Sequence, residues 1–177
     1  TRTDSSAASD VYKRQMLVDG EWLPTFPNAR YLIGETEWRY WDANEDESQY
    51  GPVLADSVRP VVDAGLVDLV ATDHQLCTEV SLQSTPGHTP GHVSIKIESA
   101  GQSALITGDC IHHPVQMTRT DWCSSADYDQ SQGRWTRENL LAELVDQDTL
   151  VIGTHFATPT AGHVKALPDG GYWLKVE

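Results

Sequence analysis

One loop organises this sequence: Ser84-Thr85-Pro86-Gly87-His88-Thr89-Pro90-Gly91-His92. Two loops of the same kind follow it, Thr107-Gly108-Asp109 and Gly153-Thr154-His155. In each, a strand-like apolar run ends, glycine opens a loop, and a side chain that can bind a metal follows. Strand ends joined by short loops are where rigid scaffolds present functional groups. Two imidazoles and a carboxylate suit Zn²⁺, Mn²⁺ or Fe²⁺ better than a soft-metal thiolate site would.

These loops resemble the later motifs of the metallo-β-lactamase superfamily of hydrolases. The resemblance is carried, in order and in loop context, by residues 85–92, 105–109 and 153–156, and it runs from about residue 18 to the C-terminus. Within the superfamily it is strongest to the branch of lactonases and organophosphate hydrolases, which shares His112-His113-Pro114-Val115-Gln116. The resemblance implies an α/β fold of layered α+β type, with this chain forming the C-terminal half of an αββα sandwich.

The resemblance also implies a metal site with three protein ligands in this chain. Asp109 would bridge two divalent metal ions, since a carboxylate has two oxygens to share. His88 would bind one ion and His155 the other. Zinc is the expected metal, with manganese or iron as alternatives, and a metal-bound water is the expected nucleophile.

Four other residues are candidates for supporting this site. His92 begins a strand and is expected to orient a ligand rather than to bind metal. His113 lines the pocket or hydrogen-bonds Asp109, or else packs the loop. A structural role is expected for His163, and Phe156 either forms an apolar wall for a substrate or simply packs.

Composition limits the classes of partner. The formal net charge is −14 and the pI is about 4.7, so an acidic surface disfavours nucleic acid. The chain has no apolar run long enough for a membrane span and no apolar signal-peptide core. Its three cysteines are an odd number without CxxC spacing, which favours reduced thiols in the cytoplasm. A small-molecule substrate is expected, and the oligomeric state stays open.

The N-terminal segment differs from the rest of the chain. Residues 1–15 are small and polar, and they resemble the translation of a sequencing adapter, so we predict a non-native or disordered tail there and a partial metallo-β-lactamase-like domain over residues 16–177. The first motif of the superfamily, His-x-His-x-Asp-His, is absent from this sequence. A truncated chain is therefore expected, with weak metal binding and little or no activity on its own.

Hydrophobic periodicity predicts mainly short strands. A hairpin is predicted over residues 17–23, strands over 29–33, 78–83, 92–98, 103–107 and 149–153, and a final hairpin over 163–167 and 172–176. Residues 66–70 read as a strand or a helix end. Helices are predicted over residues 35–41, over 53–64 with an interruption at Pro60, and from a Thr136 N-cap onward.

The function implied by the resemblance is metal-dependent hydrolysis of a small ester, lactone or phosphotriester substrate through a metal-activated water. Two alternatives stay open at this point. One is an iron-dependent redox enzyme of the same fold, similar to a sulfur dioxygenase. The other is a non-catalytic protein that keeps the scaffold for interaction.

Overall fold

A computed structural model describes residues 15–44 and 51–176 of the chain. They form two compact units, the first ending at Val70 and the second beginning at Ala71. Residues 1–14 of the predicted tail lie outside the described residues, as do residues 45–50 and residue 177. None of the helices in the described ranges combines the length and the apolar character needed to cross a membrane.

The first unit consists of short elements. They are β1 Gln15–Val18, β2 Glu21–Pro24, β3 Tyr31–Gly34, α1 Glu35–Ala43, α2 Gly51–Ser57, α3 Arg59–Asp63 and β4 Val67–Val70. Strands β1 and β2 form the predicted hairpin, turned by Asp19 and Gly20, both with positive φ. Strands β3 and β4 pair in parallel. The helical segment predicted over residues 53–64 is confirmed as two helices separated at Val58, because Pro60 is tolerated only in the first turn of the second.

The second unit contains the predicted loops. Its elements are β5 Gln75–Cys77, β6 Val80–Ser84, β7 Val93–Ser99, β8 Gln102–Ile106, a 3₁₀ turn Gly108–Cys110, α4 Val115–Thr118, α5 Gln130–Leu144, β9 Thr149–Ile152, β10 Ala161–Ala166 and β11 Tyr172–Lys175. Within residues 71–176 the strands form one seven-stranded sheet in the order β11-β10-β9-β8-β7-β6-β5. Only the β8–β9 pair of this sheet is parallel. The predicted mixed α/β fold class is confirmed.

Apolar side chains lie on both faces of this sheet. Leu105 and Val151, which face each other across β8 and β9, are buried in a core that also includes Leu141 of α5. On alternate positions of the strands, a second row of apolar side chains lies in cross-strand register and is half-buried: Leu82, Ile95, Ile106 and Ile152. Apolar side chains on both faces of a sheet are typical of a layered α/β fold.

Helix α5 begins earlier than the sequence pattern predicted. Its N-cap is Asp129, whose side chain accepts a hydrogen bond from the backbone N–H of Gln132, and the helix starts at Gln130. The prediction of a Thr136 N-cap is wrong. Thr136 lies inside the helix, buried, and its hydroxyl donates to the carbonyl of Pro86 at 2.6 Å. Its polar side chain therefore joins the helix to the histidine loop rather than capping the helix.

Candidate metal centre

The sheet brings the three predicted loops to one edge. Because β8 and β9 are parallel and Ile106 lies opposite Ile152, the chain leaves both strands at the same end of the sheet. Asp109 and His155 follow these two residues at the same distance along the chain. The loop of His88 connects β6 to β7, and β7 runs antiparallel to β8, so this loop lies at that end too.

Asp109 lies between the two predicted histidine ligands. One oxygen, Oδ1, is 2.8 Å from Nε2 of His155, and the other, Oδ2, is 3.3 Å from Nε2 of His88. The structure therefore brings together His88, Asp109 and His155, which lie far apart in the sequence. Each carboxylate oxygen faces a different imidazole, which is the arrangement in which one carboxylate can be shared between two cations.

His112 is a fourth member of this cluster, and the sequence reasoning assigned it no role. Its ring stacks on that of His155, with centroids 5.3 Å apart, and lies 4.9 Å from the ring of His88. Its Nδ1 is buried and has no hydrogen-bond partner among the described residues. Burial, with the nearby His88 as a second cause, lowers the pKa of His112, so its ring is neutral at pH 7.

The neighbouring His113, which sequence reasoning did consider, points elsewhere. Its side chain is exposed, and its Nδ1 accepts a hydrogen bond from the backbone N–H of Val115 at 3.1 Å. No hydrogen bond joins it to Asp109 among the described residues. The His-His pair in the sequence was a signal for this site, but it did not say which of the two rings faces inward.

His92 supports the backbone of Asp109. Its Nε2 accepts a hydrogen bond from the backbone N–H of Asp109 at 2.9 Å. Its Nδ1 lies 3.0 Å from the carbonyl oxygen of Thr85, so Nδ1 carries the proton and donates it to that oxygen. The imidazole thus links the start of the His88 loop to the Asp109 loop.

The other predicted residues lie outside the cluster. Phe156 is buried in the core, and a Cβ on Gly153 would lie 2.2 Å from its ring, so the ring packs tightly beneath the His155 loop. The imidazole of His163 is half-buried and lies 3.7 Å from the exposed carboxylate of Asp148.

The charges in the cluster perturb the titration of its members. Hydrogen bonds to Asp109, and then to Asp127, raise the pKa of His88 to about 9. Burial acts to raise the pKa of Asp109, but the hydrogen bond from His88 and the charges of the surrounding imidazoles hold it well below its usual range. The metal-free cluster therefore contains a protonated His88 beside an ionised Asp109 at neutral pH.

The stability of the metal-free chain is expected to fall as the pH rises from about 6.5 to about 9. The pKa of His88 is raised from 6.5 to about 9, so its contribution is complete below the first value and lost above the second. The loss is at most about 3–4 kcal/mol, because the two pKa values differ by about 2.5 and each pKa unit corresponds to about 1.4 kcal/mol. Urea unfolding in the presence of a chelator, repeated at several pH values, measures it.

Replacing His88 by glutamine should remove this fall in stability between pH 6.5 and 9. His74→Gln, a change outside the cluster, should leave the fall as it is in the wild type. If stability still fell with pH in His88→Gln as it does in the wild type, His88 would not be the cause of the pH dependence. The lowered pKa of Asp109 affects stability at low pH. The contribution of Asp109 to folding stability is lost as the pH falls below 3.8.

The donor set fits a divalent metal site. Two groups of three side chains have donor atoms within 4.8 Å of one another, namely His88 with His112 and Asp127, and Asp109 with His112 and His155. Imidazole and carboxylate are the donors that zinc and similar ions prefer. The partnerless, buried Nδ1 of His112 supports the same reading, since a buried polar atom normally has a partner.

Several solved structures have a similar fold. The hydrolase AbOPH of the β-lactamase superfamily is similar with a TM-score of 0.75 and 20% identity, over 87% of this chain and 57% of that one. AidC, a dizinc quorum-quenching lactonase in complex with a product, has a TM-score of 0.72 and 22% identity, over 87% and 56%. A probable metal-dependent hydrolase from Staphylococcus aureus has a TM-score of 0.67 and 22% identity, over 87% and 55%.

The chain thus spans little more than half the length of these proteins. A comparison with curated protein sequences finds no match. The sequence model of the metallo-β-lactamase superfamily matches residues 20–155, which is more than half of the chain and includes His88, Asp109 and His155. The chain belongs to the metallo-β-lactamase superfamily.

Proposed function

We propose that this protein is a metal-dependent hydrolase of a small ester, lactone or phosphotriester substrate. One observation carries the proposal: the two oxygens of Asp109 face Nε2 of His88 and Nε2 of His155, at 3.3 Å and 2.8 Å. Similar structures are named as hydrolases and as a lactonase, which supports the same reaction class.

His88, Asp109 and His155 would hold two divalent cations, with Asp109 between them. Zinc is the favoured metal, because AidC, one of the similar structures, is a dizinc enzyme. Bound there, the cations would supply Lewis acidity toward a carbonyl or phosphoryl oxygen and would lower the pKa of a water molecule.

The residues of this chain would prepare the site for that chemistry. Binding of metal requires His88 to release the proton that it carries in the metal-free cluster, so affinity should fall with decreasing pH. His92 fixes the backbone of Asp109, and the packing of Phe156 against Gly153 fixes the loop of His155. The neutral ring of His112 lies beside both histidines, where it can accept or donate a proton.

The proposal is tested by metal analysis and by hydrolysis assays with three probes: N-hexanoyl homoserine lactone, 4-nitrophenyl acetate and a dialkyl 4-nitrophenyl phosphate. Assays should use both the 177-residue chain and the product of the complete reading frame that contains it. We expect the latter to hydrolyse at least one probe, to lose that activity with a chelator, and to regain it with zinc.

Two results would contradict the proposal. Hydrolysis that continues unchanged in the presence of a chelator would mean that the reaction does not depend on a metal. Purification with iron, together with oxygen consumption, would support a redox enzyme of the same fold instead.

A further inference from the structure

Asp127 is a buried carboxylate that sequence reasoning did not connect with the site. Its side chain is fully buried, and Oδ1 lies 3.2 Å from Nδ1 of His88. The other oxygen, Oδ2, accepts a hydrogen bond from the backbone N–H of Ser124 at 3.0 Å and lies 3.5 Å from Nη1 of Arg137. Both oxygens therefore have protein partners.

Arg137 is the fixed cation behind Asp127. Its side chain is only 1% exposed, although arginine is almost never fully buried without a partner. Its Nη2 donates to the carbonyls of Thr120 and Trp122, at 3.5 Å and 3.3 Å, and its Nη1 donates to that of Cys110 at 3.4 Å. The guanidinium is thus tied to the backbone at three positions that precede Asp127 in the sequence.

The backbone after Asp127 is joined to the His88 loop as well. The N–H of Tyr128 donates to the carbonyl of His88 at 3.0 Å, and the N–H of Asp129 donates to that of Gly87 at 2.9 Å. The distance between Asp127 and His88 is therefore set by paired backbone segments and not by two flexible side chains alone.

We propose that Asp127, held in place by Arg137, is a positioning residue. Its carboxylate accepts a hydrogen bond from Nδ1–H of His88 and so directs Nε2 of that imidazole toward the metal shared with Asp109. The inference rests on the proposed function, because it assigns His88 as a ligand. A metal-bound imidazole has one nitrogen left, and the partner of that nitrogen fixes the tautomer and the ring orientation.

The alternative role for Asp127 is that of a metal ligand, since it belongs to a group of three possible donors with His88 and His112. The geometry favours the positioning role. Nε2 of His88 faces Asp109, whereas Asp127 faces Nδ1 on the other side of the ring. The positive Arg137 beside Asp127 also disfavours a cation there.

The test uses the 177-residue chain with Asp127→Asn and Asp127→Ala. Zinc affinity is measured by competition with a fluorescent chelator, and the number of ions bound by titration. We expect affinity to fall about 10-fold for Asp127→Asn, whose amide oxygen accepts a hydrogen bond less strongly, and about 10- to 100-fold for Asp127→Ala, with no change in the number of ions. Asp121→Asn, the same change in an exposed aspartate of the same connecting segment, should leave affinity unchanged.

A second readout does not depend on metal. In the metal-free wild type, the Nδ1 proton of His88 should exchange slowly with water and be visible by NMR, and it should exchange faster in both Asp127 variants. Unfolding curves recorded with a chelator establish that Asp127→Asn is folded.

The outcomes separate the two proposals. Wild-type zinc affinity in a folded Asp127→Asn variant, or the loss of one whole ion from it, would overturn the positioning role. If the wild type and the complete gene product bind no zinc, the proposed function fails. The exchange of the Nδ1 proton would still decide whether Asp127 holds His88.

Discussion

Asp109→Asn is expected to lower the zinc affinity of the chain by at least about 100-fold, because changes to the outer partners of metal ligands already cost 10- to 100-fold. Asp109 is the residue that both predicted histidine ligands face, through different oxygens, in the described structure. An asparagine there keeps the size of the side chain. It presents only one oxygen and no charge, so two cations can no longer share it. A zinc titration against a fluorescent chelator measures the change.

The control for this variant is Asp148→Asn, which makes the same chemical change in an exposed side chain. It should bind zinc as the wild type does. Because the ionised Asp109 is also the first cause of the raised pKa of His88, Asp109→Asn should return that pKa toward its ordinary value. Wild-type zinc affinity in Asp109→Asn would mean that any metal site of this chain is built on other residues.

The sequence predicted the centre of this cluster because each loop follows a strand. Glycine and proline mark the loop of His88, and the alternation of residues 92–98 marks the next strand, so the residues that leave the sheet at one edge were recognisable. The parallel pairing of β8 and β9 was not predicted. It depends on the crossover through α5, which local periodicity does not encode.

The partners of this centre were not predictable in the same way. His112 and His113 are adjacent and chemically identical, and only the 3₁₀ turn Gly108–Cys110 and the start of α4 decide which ring faces Asp109. Asp127 lies 39 positions after His88, in a polar segment without periodicity. Its role depends on where α5 begins, and the polar residues ahead of Thr136 concealed the true N-cap at Asp129.

Gly87 of the histidine loop lies against the backbone of Gly133 in α5. Gly87 has φ +132°, and a Cβ added there would lie 2.3 Å from both Cα and N of Gly133. Backbone atoms of a helix cannot move aside as a flexible side chain can. Gly87→Ala is therefore expected to destabilise the chain by about 3 kcal/mol or more, which combines overpacking with an unfavourable φ. Urea unfolding in the presence of a chelator measures the loss.

Two matched glycine variants separate the causes. Gly101→Ala also places alanine at a positive φ, +77°, but its Cβ would meet nothing within 4 Å, so only about 1–2 kcal/mol should be lost. Gly133→Ala changes the same contact from the helix side. Its Cβ would lie 3.4 Å or more from its neighbours, so little loss is expected.

The packing at Gly87 also affects the candidate metal centre. If Gly87→Ala separates the loop from α5, the bonds from Tyr128 and Asp129 to the loop carbonyls break, and His88 loses its fixed distance to Asp127. In Gly87→Ala both stability and zinc affinity should fall. In Gly101→Ala zinc affinity should stay as in the wild type, although some stability is lost. Equal stability losses in these two variants would mean that Gly87 is required for its backbone conformation alone and that the close approach to Gly133 contributes nothing.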